Sequence, residues 1–127
     1  VPRSLPSLVK AYRVQDKVRG VGFDWDHVGQ VWEKVQEELG ELQDEVKAPK
    51  VNPDRVADEF GDVMFAMINY ARFLDVNPDE ALERTTRRFI ARFQHLEQAV
   101  SKDGKDLAEM DLGEMDVYWD RAKSALG

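Results

Sequence analysis

An all-α fold, a bundle of about five helices, is what this sequence predicts, and three observations predict it. Apolar residues recur at i, i+3, i+4 and i+7 over long stretches, the period of a helix with one buried stripe. Charged residues make up 34% of the 127 residues against 43% hydrophobic, a balance that suits soluble amphipathic helices. The run Val-Asn-Pro-Asp occurs twice, at 51–54 and 76–79, and each copy offers an Asn cap followed by a proline suited to a first helical turn. The repetition is shared capping chemistry rather than an internal repeat. The length suits a single domain, 1–127, and the start Val1-Pro2-Arg3-Ser4 lacks an initiator Met, as expected of a piece of a longer protein.

A first helix is expected over 5–19, with Pro6 near its start, Leu8, Val9, Tyr12 and Val18 buried, and Gly20 and Gly22 ending it. Phe23-Asp24-Trp25-Asp26 then reads as an aromatic connector, with Asp24 or Asp26 placed to cap the second helix. That helix, about 26–47, has the clearest period: Val28, Val31, Trp32, Val35, Leu39, Leu42 and Val46 share one stripe. Beside it run Lys34, Glu38, Glu41 and Glu45, at about 100° per residue. Glu37 falls further round, so Glu38 borders the interior while Glu37 is the more exposed acid.

The third helix, about 54–74, is expected to bury Val56, Phe60, Val63, Met64, Met67, Ala71 and Leu74, with Arg55, Glu59, Asp62 and Ala66 alongside. Val63 to Ile68 is apolar almost all round, which points to enclosure on several sides and to a subunit interface. The fourth helix, about 79–101, turns Leu82, Phe89, Ile90, Phe93, Leu96 and Val100 inward and carries Arg84, Arg87, Arg88 and Arg92. A polar break around Gly104 leads to a last helix from about Asp111, with Glu114 placed for a reciprocal cap. That helix buries some of Leu112, Met115, Trp119, Ala122 and Leu126.

Composition narrows the function. A net charge of −7 disfavours nonspecific binding to nucleic acid or anionic membranes, which needs a basic surface. No apolar run approaches the roughly 20 residues of a membrane span. The absence of cysteine excludes disulfides and thiol chemistry, and a cytoplasmic location is expected. His27 and His95 are isolated and receive no role.

What remains is acidic. Glu38 and Glu41 stand three apart on one helix, and Glu59 and Asp62 three apart on the next. Packed side by side, the two helices aim four carboxylates into one gap. Like charges about 5 Å apart repel by roughly 3 kcal/mol at an effective dielectric of about 20, so such a cluster calls for a cation. An all-oxygen set suits a hard divalent ion, magnesium first and manganese next. A lone Glu-x-x-Glu is most often solvated surface, and that reading stays open beside the metal site. Arg88 and Arg92, four apart, are spaced to clamp phosphate oxygens or to pair with nearby acids. Lys34 sits one turn before Glu38, placed for that acid or for a phosphate. Trp119 suits a core position or a base stack. A carboxylate-bridged di-iron bundle needs Glu-x-x-His, and both corresponding positions here are acids.

Glu37-Glu38-Leu39-Gly40-Glu41 followed by Glu59-Phe60-Gly61-Asp62 resembles the EExxE…ExxD signature of MazG-type nucleoside triphosphate pyrophosphohydrolases. The resemblance takes in LPSLVKAYRVQDKVRGVGFDW, NPDEALERTTRRFIARF and LGEMDVYWDRAK, and it is similar to the second, catalytic half of tandem MazG proteins. It implies hydrolysis of nucleoside triphosphates between the α and β phosphates, giving a monophosphate and pyrophosphate. By the same resemblance Glu38, Glu41, Glu59 and Asp62 hold magnesium, while Lys34 through Glu38 and Arg55 through Asp58 border the triphosphate. Arg88 and Arg92 hold phosphates, Trp119 lies near the nucleotide, and Glu37 or Glu41 serves as the base. Where the family pattern has Asn then Lys, this chain has Thr86 and Arg88: the charge is kept and the amide is not. A homodimer is expected. The alternatives are a pyrophosphatase narrow for one deoxy or noncanonical nucleotide, and a non-enzymatic helical dimerisation module.

Overall fold

The computed structural model describes every residue from Val1 to Gly127 and contains helices only. Five α-helices occur in order: α1 Ser7–Arg19, α2 Val28–Val46, α3 Pro53–Phe73, α4 Pro78–Lys102 and α5 Leu112–Leu126, with one 3-10 turn at Leu107–Glu109. The all-α class and all five helices agree with the periodicity. The chain divides into two compact units, Val1–Ala81 and Leu82–Gly127, with the boundary inside α4.

In the first unit α2 and α3 pack along their length and α1 lies against α3. The pairing is antiparallel. Trp32 meets Tyr70 at 5.2 Å between ring centroids, while at the other end Glu45 meets Arg55 at 4.0 Å. Asn52 caps α3 as expected, its Oδ1 accepting from the backbone N–H groups of Asp54 and Arg55 at 3.0 and 3.4 Å. Asn77 repeats the device at α4, accepting from Asp79 and Glu80. Neither Asp24 nor Asp26 caps α2. His27 occupies the N-cap, and Gln30 one turn on reaches back to accept from the Asp26 and His27 N–H groups. Asp24 instead forms an ion pair with Arg72, at 2.6 Å from Nη2 and 3.1 Å from Nη1.

Burial departs from the expected stripes, and in one consistent direction. Val31 and Val35 are enclosed, but Trp32, Leu39, Phe60, Met64 and Met67 are each more than 40% exposed. The enclosed residues of α3 are Ala66 and Ile68, and Ala66 belongs to the stripe that carries Glu59 and Asp62. The two helices therefore meet on the side that bears the acids. A small alanine at the contact lets the backbones approach, and the bulkier apolar stripe beside it stays open. On α1 the buried residue is Gln15, not Val18, which is 38% exposed.

The second unit has its own small core of Leu96, Val100 and Tyr118, with Leu107, Met110 and Trp119 packed around it. Ala122 is fully enclosed, whereas Leu82, Phe89, Ile90 and Leu112 are at least half exposed, against expectation. Gly104, at φ +70°, makes the left-handed turn that sends the chain from α4 towards α5. The Tyr118 hydroxyl donates to Asp103 at 2.7 Å across that turn, and Arg121 lies 4.8 Å over the Tyr118 ring. Asp111 caps α5, accepting from the Glu114 N–H at 2.8 Å.

Candidate metal centre

Glu38 sits on the contact side of α2, on the stripe flanking Val31 and Val35, and is 7% exposed. It goes further inside than a border position, because the α2–α3 contact is rotated towards the acids. Lys34, one turn earlier, holds Glu38 Oε1 at 2.9 Å and Glu37 Oε1 at 3.3 Å. That hydrogen bond to Glu38 is the main reason the Lys34 ammonium is held above its ordinary range. The second oxygen of Glu38, Oε2, is buried with no partner.

Glu59 arrives from α3, opposite. Its Oε2 is likewise buried without a partner. One carboxylate oxygen from each of Glu38, Glu41 and Glu59 lies within 4.8 Å of the other two. The charge on Glu38, then burial, then Glu59 push the Glu41 carboxyl above its ordinary value. The two buried Oε2 atoms have no donor, and both side chains belong to a cluster with a third acid. Such oxygens are costly unless a cation satisfies them. The set is all oxygen, so a hard divalent ion fits it and a soft one does not.

Asp62, one turn beyond Glu59, is exposed and outside this group of three. Asp58 is exposed as well, and Arg55 is 71% exposed with only the long contact to Glu45. Glu37 points outward, 56% exposed, as the stripe geometry predicts. In the second unit Arg88 is exposed on α4. Arg92 donates to the Gly127 carbonyl at 3.0 Å, while its Nε is buried without a partner. Trp119 is half-buried and tilted against Phe89 at 5.1 Å.

Three polar residues of the first unit escape the sequence reading: Gln15, Asn69 and Arg72. Gln15 sits at the i+7 position from Leu8 on an otherwise apolar stripe, and a polar residue in that phase is the available signal. Asn69 continues the stripe of Glu59, Asp62 and Ala66 at helical spacing. The partner of Arg72 lies 48 residues away, beyond any local pattern.

Antiparallel helices that bring carboxylates together over a gap define a class of all-α proteins with a candidate metal site between paired helices. The chain belongs to the MazG nucleotide pyrophosphohydrolase domain family, whose sequence profile matches residues 29–97. It is 42% identical over 119 residues to the nucleoside triphosphate pyrophosphohydrolase/pyrophosphatase MazG of Thermotoga maritima, covering 94% of this chain and 45% of that protein. It is 36% identical over 123 residues to the nucleoside triphosphate pyrophosphohydrolase of Escherichia coli, covering 97% of this chain and 47% of the relative. A shorter match, 45% over 65 residues, is to the uncharacterized protein YabN of Bacillus subtilis, with 51% of this chain and 13% of that one covered. The chain thus spans about half the length of the first two relatives.

Proposed function

We propose that this chain is one catalytic domain that hydrolyses nucleoside triphosphates between the α and β phosphates, releasing a nucleoside monophosphate and pyrophosphate. The observation that carries this reading is the pair of buried, unpartnered oxygens on Glu38 and Glu59, set against Glu41. Relatives named as nucleoside triphosphate pyrophosphohydrolases support it.

Glu38, Glu41 and Glu59 would hold magnesium, or manganese, with Asp62 joining from the next turn of α3. When bound, the ion would neutralise phosphate charge and activate water. Lys34 keeps Glu38 in place through Oε1, and Oε2, which has no protein partner, would be available to the cation. Lys34, Arg55 and Asp58 would border the triphosphate. Arg88 and Arg92 would meet phosphate oxygens, Arg92 with an Nε that has no protein partner. Trp119 would lie against the nucleoside, and Glu37 or Glu41 would take the proton from water. No helix is long and apolar enough to cross a membrane, and the proposed location is the cytoplasm.

Product analysis tests this directly. With magnesium, phosphorus NMR should show monophosphate and pyrophosphate from several nucleoside triphosphates, and chelation should stop the reaction. Orthophosphate plus nucleoside diphosphate as the products would end the assignment of the cleaved bond.

A homodimer through α2 and α3 is part of the same proposal. Its support is the open apolar stripe of Trp32, Leu39, Phe60, Met64 and Met67, each more than 40% exposed in the single chain. Sedimentation at micromolar concentration should give the mass of two chains. A monomer there would remove the proposed interface.

A further inference from the structure

Lys34 sets a positive charge against the acid cluster of the first unit. Its Nζ lies 2.9 Å from Glu38 Oε1 and 3.3 Å from Glu37 Oε1. An ammonium carries three donors, so these two contacts leave one for another acceptor. The lysine side chain is 38% exposed and reachable from solvent, whereas that of Glu38 is 9% exposed. The remaining oxygen of Glu38, Oε2, is buried with no partner, and Glu38, Glu41 and Glu59 bring one oxygen each within 4.8 Å of the others.

Charges in a partly buried site are screened much less than charges on an open surface. A fixed ammonium there has two opposite effects. It repels a divalent ion that enters the cluster, because both are cations. It attracts a phosphate, whose oxygens accept from the donor it still holds. Three carboxylates without the lysine would take a hard divalent ion whether or not a nucleotide came with it. We propose that Lys34 biases this site against a bare divalent ion and towards one that arrives with a polyphosphate. The second half of this rests on the pyrophosphohydrolase reading. The first half rests only on the geometry of Lys34 and the three acids. A lysine that merely tethered Glu38 would have a different signature: it would strengthen metal binding under all conditions.

Two calorimetric titrations at about pH 8, well above the carboxylate range, separate these roles. They compare the wild type with Lys34→Gln, which keeps a donor beside Glu38 and removes the charge, and with Lys34→Arg, which keeps the charge. Glutamine is a good helix former and the position is partly exposed, so the fold is retained. In the first titration, with magnesium alone, Lys34→Gln should bind roughly tenfold more tightly than the wild type. Lys34→Arg should stay close to the wild type. The second titration uses an adenosine triphosphate analogue with a methylene bridge between its α and β phosphates, at saturating magnesium. There Lys34→Gln should bind roughly tenfold more weakly. Opposite signs in the two titrations are the expected result. Unchanged or weaker binding of magnesium alone by Lys34→Gln shows a lysine that only positions Glu38, and overturns the proposal. If the wild type does not bind the analogue, the nucleotide reading fails, and the magnesium titration still decides whether Lys34 opposes the bare ion.

Discussion

Glu38→Gln should abolish most pyrophosphate release while leaving the protein folded. The carboxylate is buried on the α2–α3 contact, and the substitution keeps its shape and one oxygen while removing the charge. Lys34 loses its strongest partner but retains Glu37. A metal's stabilisation of charge in such a reaction amounts to several kcal/mol, and at about 1.4 kcal/mol per decade its loss is roughly 10²- to 10³-fold in rate. Binding should change in step. Magnesium added to the wild-type protein should release or absorb heat and raise the melting temperature by mass action, and the variant should show neither. Without metal, the variant should melt no lower than the wild type, because one of three clustered charges has gone. Near-normal turnover by Glu38→Gln would sink the metal centre, and the mechanism with it.

The second large effect falls on stability. Asp24→Ala leaves the guanidinium of Arg72, only 9% exposed, without its counter-charge. Asn69 still accepts two hydrogen bonds from it and the Asp24 side chain is 19% exposed, so the pair is only partly buried and the expected loss is roughly 1–3 kcal/mol, below that for a fully buried ion pair. For a chain of this size the melting temperature falls by on the order of 10 °C. The pair also dictates a pH profile. Hydrogen bonding from Arg72 holds the Asp24 carboxyl below its ordinary value of 3.8. A depressed acid contributes its stability above the unfolded value and loses it as pH falls through the folded one. Wild type and variant should therefore differ by a constant amount at neutral pH, and the gap should close below about pH 4. Melting curves that stay parallel into acid would show that the pair carries no linkage.

Helix existence is legible in the sequence because it is local. The 3.6-residue period, the two Asn-Pro-Asp starts and the turn at Gly104 act within a few residues, and each recurs where expected. The convergence of Glu38, Glu41 and Glu59 is also legible, since spacing on a helix fixes a face and a short link brings two faces together, but Asp62, expected with them, lies outside the group. Which faces touch is not legible. The period places Ala66 beside the core and it lies in it, while Phe60, Met64 and Met67 have the period of core residues and stay open. Helix rotation depends on the shapes that meet across the contact, and a small residue on the acid side lets that side close.

Sequence alone determined that this protein is built of helices, that its acids come in pairs one turn apart, and which family it resembles. Tertiary structure decided that Glu38 and Glu59 each bury an oxygen with nothing to bind, and that Asp24, Arg72, Asn69 and Gln15 line one cleft. The reason is range: propensity and period act over a turn or two, while a buried oxygen without a partner exists only once distant segments have closed around it.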